Sequence, residues 1–143
     1  MNDLSISIVN TSNRALLEQC LDSIRSTVRH ATYEVLVVDN NSSDGSAEMV
    51  ETRFPEMQLI RNAERLGYPA SHNRALRRSS GRYVLVLNED MLMLPGALDT
   101  MVAFMDEHPE AGMLGCRLLN PDGSLQPSCR AFPSLGIMLL RSL

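Results

Sequence analysis

The chain has 143 residues, enough to bury one real hydrophobic core without disulfide or metal staples. Its 17 acidic and 13 basic residues leave a net charge of −4, which excludes a general attraction to nucleic acid or anionic membrane. Any phosphate it binds must therefore be held by a local site. Cys20, Cys116 and Cys129 are odd in number and far apart, and His30, His72 and His108 are equally scattered. That pattern argues against a disulfide framework and a zinc site, and predicts buried, reduced thiols in a cytoplasmic protein. No basic, apolar leader opens the chain, and no apolar run approaches the roughly 18 residues that span a bilayer.

In chain order, residues 4–9 form the first predicted strand, with Ile6, Ile8 and Val9 as its apolar content. Asn10-Thr11-Ser12-Asn13 follows, with Ser12 or Asn13 placed to cap a helix whose Leu17, Cys20, Leu21, Ile24 and Val28 repeat at helical spacing. Residues 34–39, Glu-Val-Leu-Val-Val-Asp, are a second strand closed by a carboxylate. The turn-rich run from Asn40 to Ser46 then leads into a helix burying Ala47, Val50 and Phe54, with Asp44 or Ser46 as its cap and Pro55 beyond its end. A third short strand covers 57–60, a loop runs from Arg61 to Tyr68, and residues 70–79 are helix-compatible but poorly amphipathic. In the loop, Gly67 offers either positive φ or clearance for a bound group, against a plain turn.

Residues 84–87 are a continuous apolar run, read as a strand buried on both faces, and it ends abruptly in Asn88-Glu89-Asp90. Pro95 is expected in the first turn of a helix carrying Leu98, Met101, Val102 and Met105 on one face, and His108-Pro109 ends it. Residues 113–119 are a fifth strand candidate. Asn120-Pro121-Asp122-Gly123 is a tight turn, and 124–126 a returning hairpin arm, giving the sheet a mixed edge. Residues 137–140 are apolar and call for a partner: a membrane surface, a second copy, or further chain beyond Leu143.

Strands alternating with helices predict an α/β, three-layer, mostly parallel sheet whose strand ends share one edge. That edge gathers Asn10, Thr11, Asp39, the 62–67 loop and Asn88 to Asp90. In open α/β sheets ligands bind there. Neither Gly-x-Gly-x-x-Gly nor Gly-Lys-Ser/Thr occurs, so the phosphate loops of dinucleotide-binding and P-loop proteins are absent from the sequence. A phospho-receiver domain would want an acidic pair after the first strand, where this chain has Asn10-Thr11-Ser12-Asn13. Two strand-end carboxylates instead suit a nucleotide's base and ribose and a divalent ion neutralising a diphosphate.

Val37-Val38-Asp39-Asn40-Asn41-Ser42-Ser43-Asp44-Gly45-Ser46, then Asn62, Gly67-Tyr68 and Asn73-Arg74, then Leu87-Asn88-Glu89-Asp90 resemble the successive motifs of family 2 glycosyltransferases of the GT-A fold, near their rhamnosyltransferase-like branch. The likeness extends to residues 120–126 and Arg130-Ala131-Phe132-Pro133. It implies one GT-A nucleotide-sugar-binding domain over residues 1–143, cut short at its carboxyl end. It also implies a nucleotide-diphosphate-sugar donor, a saccharide or lipid-linked acceptor, and work in the cytoplasm or at the inner membrane face.

By that likeness Asn10, Thr11, Asp39 and Asn41 contact base and ribose, while the region from Asn62 to Asn73, with Asn62, Gly67 and Asn73 as its named residues, lines the nucleotide pocket. Asn88, Glu89 and Asp90 take the place of the Asp-x-Asp motif, with Asp90 ligating Mg²⁺ or Mn²⁺. Asn88 departs from the strict motif, leaving one negative charge fewer for the metal. No catalytic base is identified: Asp99, Asp106, Glu107 and Glu110 come too early, Asp122 sits in a turn, and the base is expected beyond Leu143. A nucleotide-sugar-binding or scaffold module without transfer is the alternative reading.

Overall fold

A computed structural model of the chain describes residues 1–128, so expectations for Cys129 and for residues 130–143 fall outside the described residues. Residues Met1–Ala111 form one compact unit, and a second unit begins at Gly112. In the first, strands β1 (Leu4–Asn10), β2 (Tyr33–Asp39), β3 (Gln58–Arg61) and β4 (Tyr83–Asn88) alternate with helices α1 (Arg14–Thr27), α2 (Ser46–Arg53), α3 (Tyr68–Leu76) and α4 (Ala97–Glu107). The four strands are parallel in the order β3-β2-β1-β4. The chain therefore winds outward from β1 to β3 and returns to β4 on the other side of β1. That reversal creates a switch point at the carboxyl ends of β1 and β4.

Alternation along the strands decides which layer each side chain joins. Leu4, Ile6 and Ile8 of β1 pack with Val35 and Val37 of β2 and Leu87 of β4. Against them lie Leu17, Cys20, Leu21 and Ile24 of α1, Met49 and Val50 of α2, and Leu98 and Val102 of α4. Each fully buried aliphatic side chain there contributes about 1.5–3 kcal/mol relative to exposure. The opposite face is smaller: Val9, Leu36, Val38 and Ile60 meet Ala75 of α3. The serines of β1 also face that side and are satisfied, Ser5 Oγ donating to Glu34 and accepting from Gly81, Ser7 Oγ bonding His72 Nδ1 at 2.8 Å. This explains α3's weak amphipathicity, because its inner face is built of Ser71, His72 and Ala75.

Three expectations are corrected. Residues 84–87 are not buried on both faces: Val84 and Val86 are 45% and 49% exposed. The same apolar pattern in β2 is fully buried because β2 lies between two strands and under α3, whereas β4 is one of the two outer strands among the described residues. Residues 113–119 form no strand; an isolated antiparallel bridge joins Leu119 to Leu125, with the Gln126 N–H donating to the Leu118 carbonyl at 2.9 Å. The hairpin is there, but its arms are too short to make a ladder. Cys20 is buried as expected, whereas Cys116 is exposed.

The caps also differ. Asn13 stands at the N-cap of α1 but turns its side chain to Glu89. The Arg14 N–H is instead taken by Asp44 Oδ2 at 2.8 Å, while Asp44 Oδ1 accepts from the Ser46 N–H at 3.1 Å. One carboxylate thus serves two helix starts, a favourable place for negative charge. Pro95 precedes α4, whose N-cap is Gly96 at φ 75°.

Candidate functional site

Register aligns the strand ends. Asn10 pairs with Asp39, Asp39 with Arg61, and Val9 with Asn88, so the four chains leave the sheet together. The Asn40 N–H donates to the Asn10 carbonyl and the Asn62 N–H to the Asp39 carbonyl, both at 2.8 Å, which extends the ladder one residue into the loops.

The nucleoside half of the expected pocket is buried and has open valences. Asn10 is fully buried; its Nδ2 donates to Ser42 Oγ at 3.2 Å, and its Oδ1 meets no partner among the described residues. Asp39 is 5% exposed; its Oδ2 accepts from the Ser42 N–H at 3.2 Å, and its Oδ1 is likewise unpartnered. Two neighbouring buried oxygens left without donors cost stability, and such groups in a native fold call for an explanation. A ligand presenting N–H or O–H groups supplies one. Thr11 is half-buried and accepts from Asn40 Nδ2 at 3.3 Å.

Asn62 is buried and bonded at both ends: its Nδ2 donates to Asn40 Oδ1 at 2.9 Å and Ser71 Oγ at 3.2 Å, and its Oδ1 accepts from Arg74. Asn41 is exposed at φ 58°, a left-handed position that asparagine tolerates. Gly67 does not use positive φ; it sits at φ −62°, and a Cβ there would meet nothing within 4 Å, so neither backbone strain nor the protein's own packing calls for glycine. Asn73 is exposed on α3, and none of the described hydrogen bonds involves its side chain. Its neighbours Ser71 and Arg74 join the buried network instead, because the helix turns those positions toward the loop.

The tip of β4 is acidic and more open. The Tyr68 hydroxyl donates to Asn88 Oδ1 at 2.7 Å, Asn13 Nδ2 donates to Glu89 Oε1 at 2.7 Å, and Asp90 is exposed. Beneath the tip, burial first and then the Glu89 and Asp90 charges push the Cys20 thiol up to about 12, so it stays protonated. Burial and the same two carboxylates raise Tyr68. Burial alone lowers His72, whose ring meets Tyr68 edge-on with centroids 4.3 Å apart and whose Nε2 is buried without a partner.

The donor set fits a divalent cation in one way. Among the described residues no three His, Cys, Asp or Glu side chains gather to hold an ion by themselves. An exposed carboxylate in a negative field, Asp90, suits an ion whose remaining oxygens come from a diphosphate and water, as magnesium prefers. The exposed Asn88 accepts from Tyr68 through its carbonyl, and none of the described hydrogen bonds uses its amide N–H groups.

Two of the earlier carboxylates are spoken for. Asp99 accepts from the Arg29, His30 and Ala31 N–H groups at 3.0, 2.9 and 2.8 Å, and these bonds help hold it below the usual carboxylate range. Asp106 binds Arg82 and the Tyr83 hydroxyl. Both sit beside the starts of β2 and β4, at the amino edge of the sheet, opposite the strand ends.

The sequence model of the family described as Glycosyl transferase family 2 matches residues 5–128. The chain belongs to glycosyl transferase family 2. An N-acetylglucosaminyl-diphospho-decaprenol L-rhamnosyltransferase of Mycobacterium tuberculosis is 33% identical over 130 residues, 83% of this chain and 42% of its own length. A UDP-Glc:alpha-D-GlcNAc-diphosphoundecaprenol beta-1,3-glucosyltransferase of Escherichia coli is 29% identical over 119 residues, 80% of this chain and 46% of its own. The chain thus spans less than half of each.

Among solved structures, S. aureus TarS 1-349 in complex with UDP-GlcNAc superposes with a TM-score of 0.68 at 24% identity, over 75% of this chain and 32% of that one. The mannosyltransferase of Pyrobaculum calidifontis in complex with GDP-Man and Mn²⁺ gives 0.60 at 28% identity, over 71% and 30%. The α/β sheet of this family 2 chain is that of the GT-A glycosyltransferases.

Sequence reasoning named neither Asn40 nor Ser42 as a site residue, and it placed Tyr68 and Ser71 inside the Asn62–Asn73 region without giving either a contact of its own. The first two stand in the run after Asp39, where their amide and hydroxyl groups were legible as loop formers but not as partners of Asn62 and Asn10.

Proposed function

We propose that this chain is the donor-binding part of a glycosyltransferase that moves a sugar from a nucleotide-diphosphate-sugar to a hydroxyl of a saccharide or lipid-linked acceptor. Assembly of a cell-surface polysaccharide or glycolipid is the setting we assign, at the cytoplasmic side of the membrane; two relatives act, by their names, on diphospho-decaprenol and diphosphoundecaprenol sugars. The observation that carries the reading is the pair of buried, unpartnered oxygens, Asn10 Oδ1 and Asp39 Oδ1, at the same strand edge as the exposed carboxylate Asp90. Buried acceptors match the N–H and O–H groups of a base and ribose, and the acidic tip matches a cation-neutralised diphosphate.

Asp39 and Asn10 orient the nucleoside. Tyr68 steers Asn88 so that it offers N–H groups to ribose or phosphate oxygens. Asp90 would hold Mg²⁺ or Mn²⁺, which when bound offsets the charge that develops on the leaving diphosphate. Glu89, through Asn13, holds the start of α1 against this tip.

Calorimetric titration of the chain with UDP-, dTDP- and GDP-sugars in the presence of Mn²⁺ tests the proposal. One donor class should bind, and Asp90→Ala should weaken it by about 10- to 100-fold, the loss of one charged contact. Absence of binding to every donor would sink the reading, and transfer to an acceptor would separate an enzyme from a module that only binds.

A further inference from the structure

Asn40 is 7% exposed and lies between the ends of β1, β2 and β3. Its Oδ1 accepts from the Leu66 N–H at 2.8 Å and Asn62 Nδ2 at 2.9 Å, with Ser71 Oγ more distant at 3.4 Å. Its Nδ2 donates to the Leu66 carbonyl at 3.0 Å and to Thr11 Oγ1 at 3.3 Å. An amide has two N–H donors and two acceptor lone pairs, so nothing is left for a ligand. Asn10 and Asp39, by contrast, each keep an open oxygen. Residues of one chemical kind at one edge thus divide into those that can touch a ligand and one that braces.

What Asn40 braces is specific. It grips Leu66 through both its N–H and its carbonyl, the exchange that one strand makes with another, but made here by a side chain. Leu66 is followed by Gly67, the N-cap of α3, and by Tyr68, whose hydroxyl reaches Asn88. We infer that Asn40 is a positioning residue for donor binding: it clamps residues 62–68 against the ends of β1 and β2 and so links the nucleoside contacts, Asn10 and Asp39, to the β4 tip. This rests on the donor site proposed above.

Asn40→Ala and Asn40→Asp test it. Asp keeps an oxygen for the Leu66 and Asn62 N–H groups but loses donation to the Leu66 carbonyl and Thr11. The measurements are calorimetric affinity for whichever of the UDP-, dTDP- and GDP-sugars the unmodified chain binds with Mn²⁺, and amide hydrogen exchange at Leu66 compared with Val37 in the core.

Asn40→Ala should raise the donor Kd at least tenfold and accelerate exchange at Leu66 more than at Val37. Asn40→Asp, which loses donation to Leu66 and Thr11 and sets a carboxylate oxygen against the Leu66 carbonyl, should also raise the donor Kd measurably and accelerate exchange at Leu66 more than at Val37. Equal acceleration at both amides would mean general destabilisation and overturn the inference, as would an Asn40→Ala affinity within threefold of the unmodified chain. Should Asn40→Ala fail to fold, Asn40→Asp decides: a measurable rise in Kd with selective exchange at Leu66 supports the clamp, and neither change refutes it. If the unmodified chain binds no donor, the donor site itself fails. The clamp is then judged by exchange alone, where unchanged Leu66 protection would overturn it.

Discussion

Replacing Asp39 by Asn should make the free protein more stable and the donor complex weaker. Asp39 is 5% exposed, accepts one hydrogen bond, from the Ser42 N–H at 3.2 Å, and leaves Oδ1 without a partner. No ion pair among the described residues involves it. A buried charge with one bond is held at a cost, and an isosteric amide removes the charge while its carbonyl keeps the Ser42 bond. The expected gain is about 1 kcal/mol, small because the amide NH₂ that replaces the open oxygen is itself buried without a partner and offsets part of the saving. For 143 residues that is a rise of about 3–5 °C in Tm.

In the complex the balance reverses. The amide NH₂ then occupies the place of the open carboxylate oxygen and faces a donor group of the nucleoside. Losing one charge-assisted hydrogen bond costs about 1.5–3 kcal/mol, or roughly 10- to 150-fold in Kd. Thermal melts with and without nucleotide-sugar, together with calorimetry, measure both sides. A variant that is less stable than the parent, or that binds within threefold of it, would refute the assignment of Asp39 Oδ1 as a vacant ligand acceptor.

Two further outcomes bear on the scaffold. Gly81→Ala should lower Tm by about 4–12 °C: the added Cβ would lie 2.6 Å from the Ser5 nitrogen and 2.7 Å from the Leu4 carbonyl carbon, and relieving such overpacking costs about 1–3 kcal/mol. A shift under 1 °C in a thermal melt would contradict that close approach of β1 and the β4 entry. Asp3 is lowered from 3.8 to about 2, chiefly by the Thr32 hydroxyl and N–H and then by Arg82. A depressed folded-state pKa stabilises fully above the unfolded value and is lost as pH falls through about 2. Urea midpoints should therefore fall between pH 4 and 2, and Asp3→Asn should flatten that fall; an unchanged slope would remove Asp3 from the account.

The strand ends are legible in the sequence. Apolar runs that stop at Asn10, Asp39, Ile60 and Asn88 mark where the chain leaves a parallel sheet, and alternation with helices brings those stops to one edge. The helical faces of α1 and α4 were equally legible, because a stripe at 3.6-residue spacing has one way to be buried. Burial of β4 was not: Val35 to Val38 and Val84 to Leu87 have the same character, and only position in the sheet separates an interior strand from an outer one.

The division of labour at the edge belongs to the tertiary structure. The sequence by itself determined that amides, hydroxyls and carboxylates meet at the strand ends, because that follows from where the apolar runs stop. Which of them bind and which brace depends on direction. Asn40 turns inward to Leu66 and spends every valence, Asp39 and Asn10 each keep one oxygen open, and Asn73 faces out of α3 while Ser71 and Arg74 face in. Hydrogen-bond partners supplied from 22 to 31 residues away, as Asn62, Leu66, Ser71 and Thr11 are to Asn40, exist only once the sheet has formed.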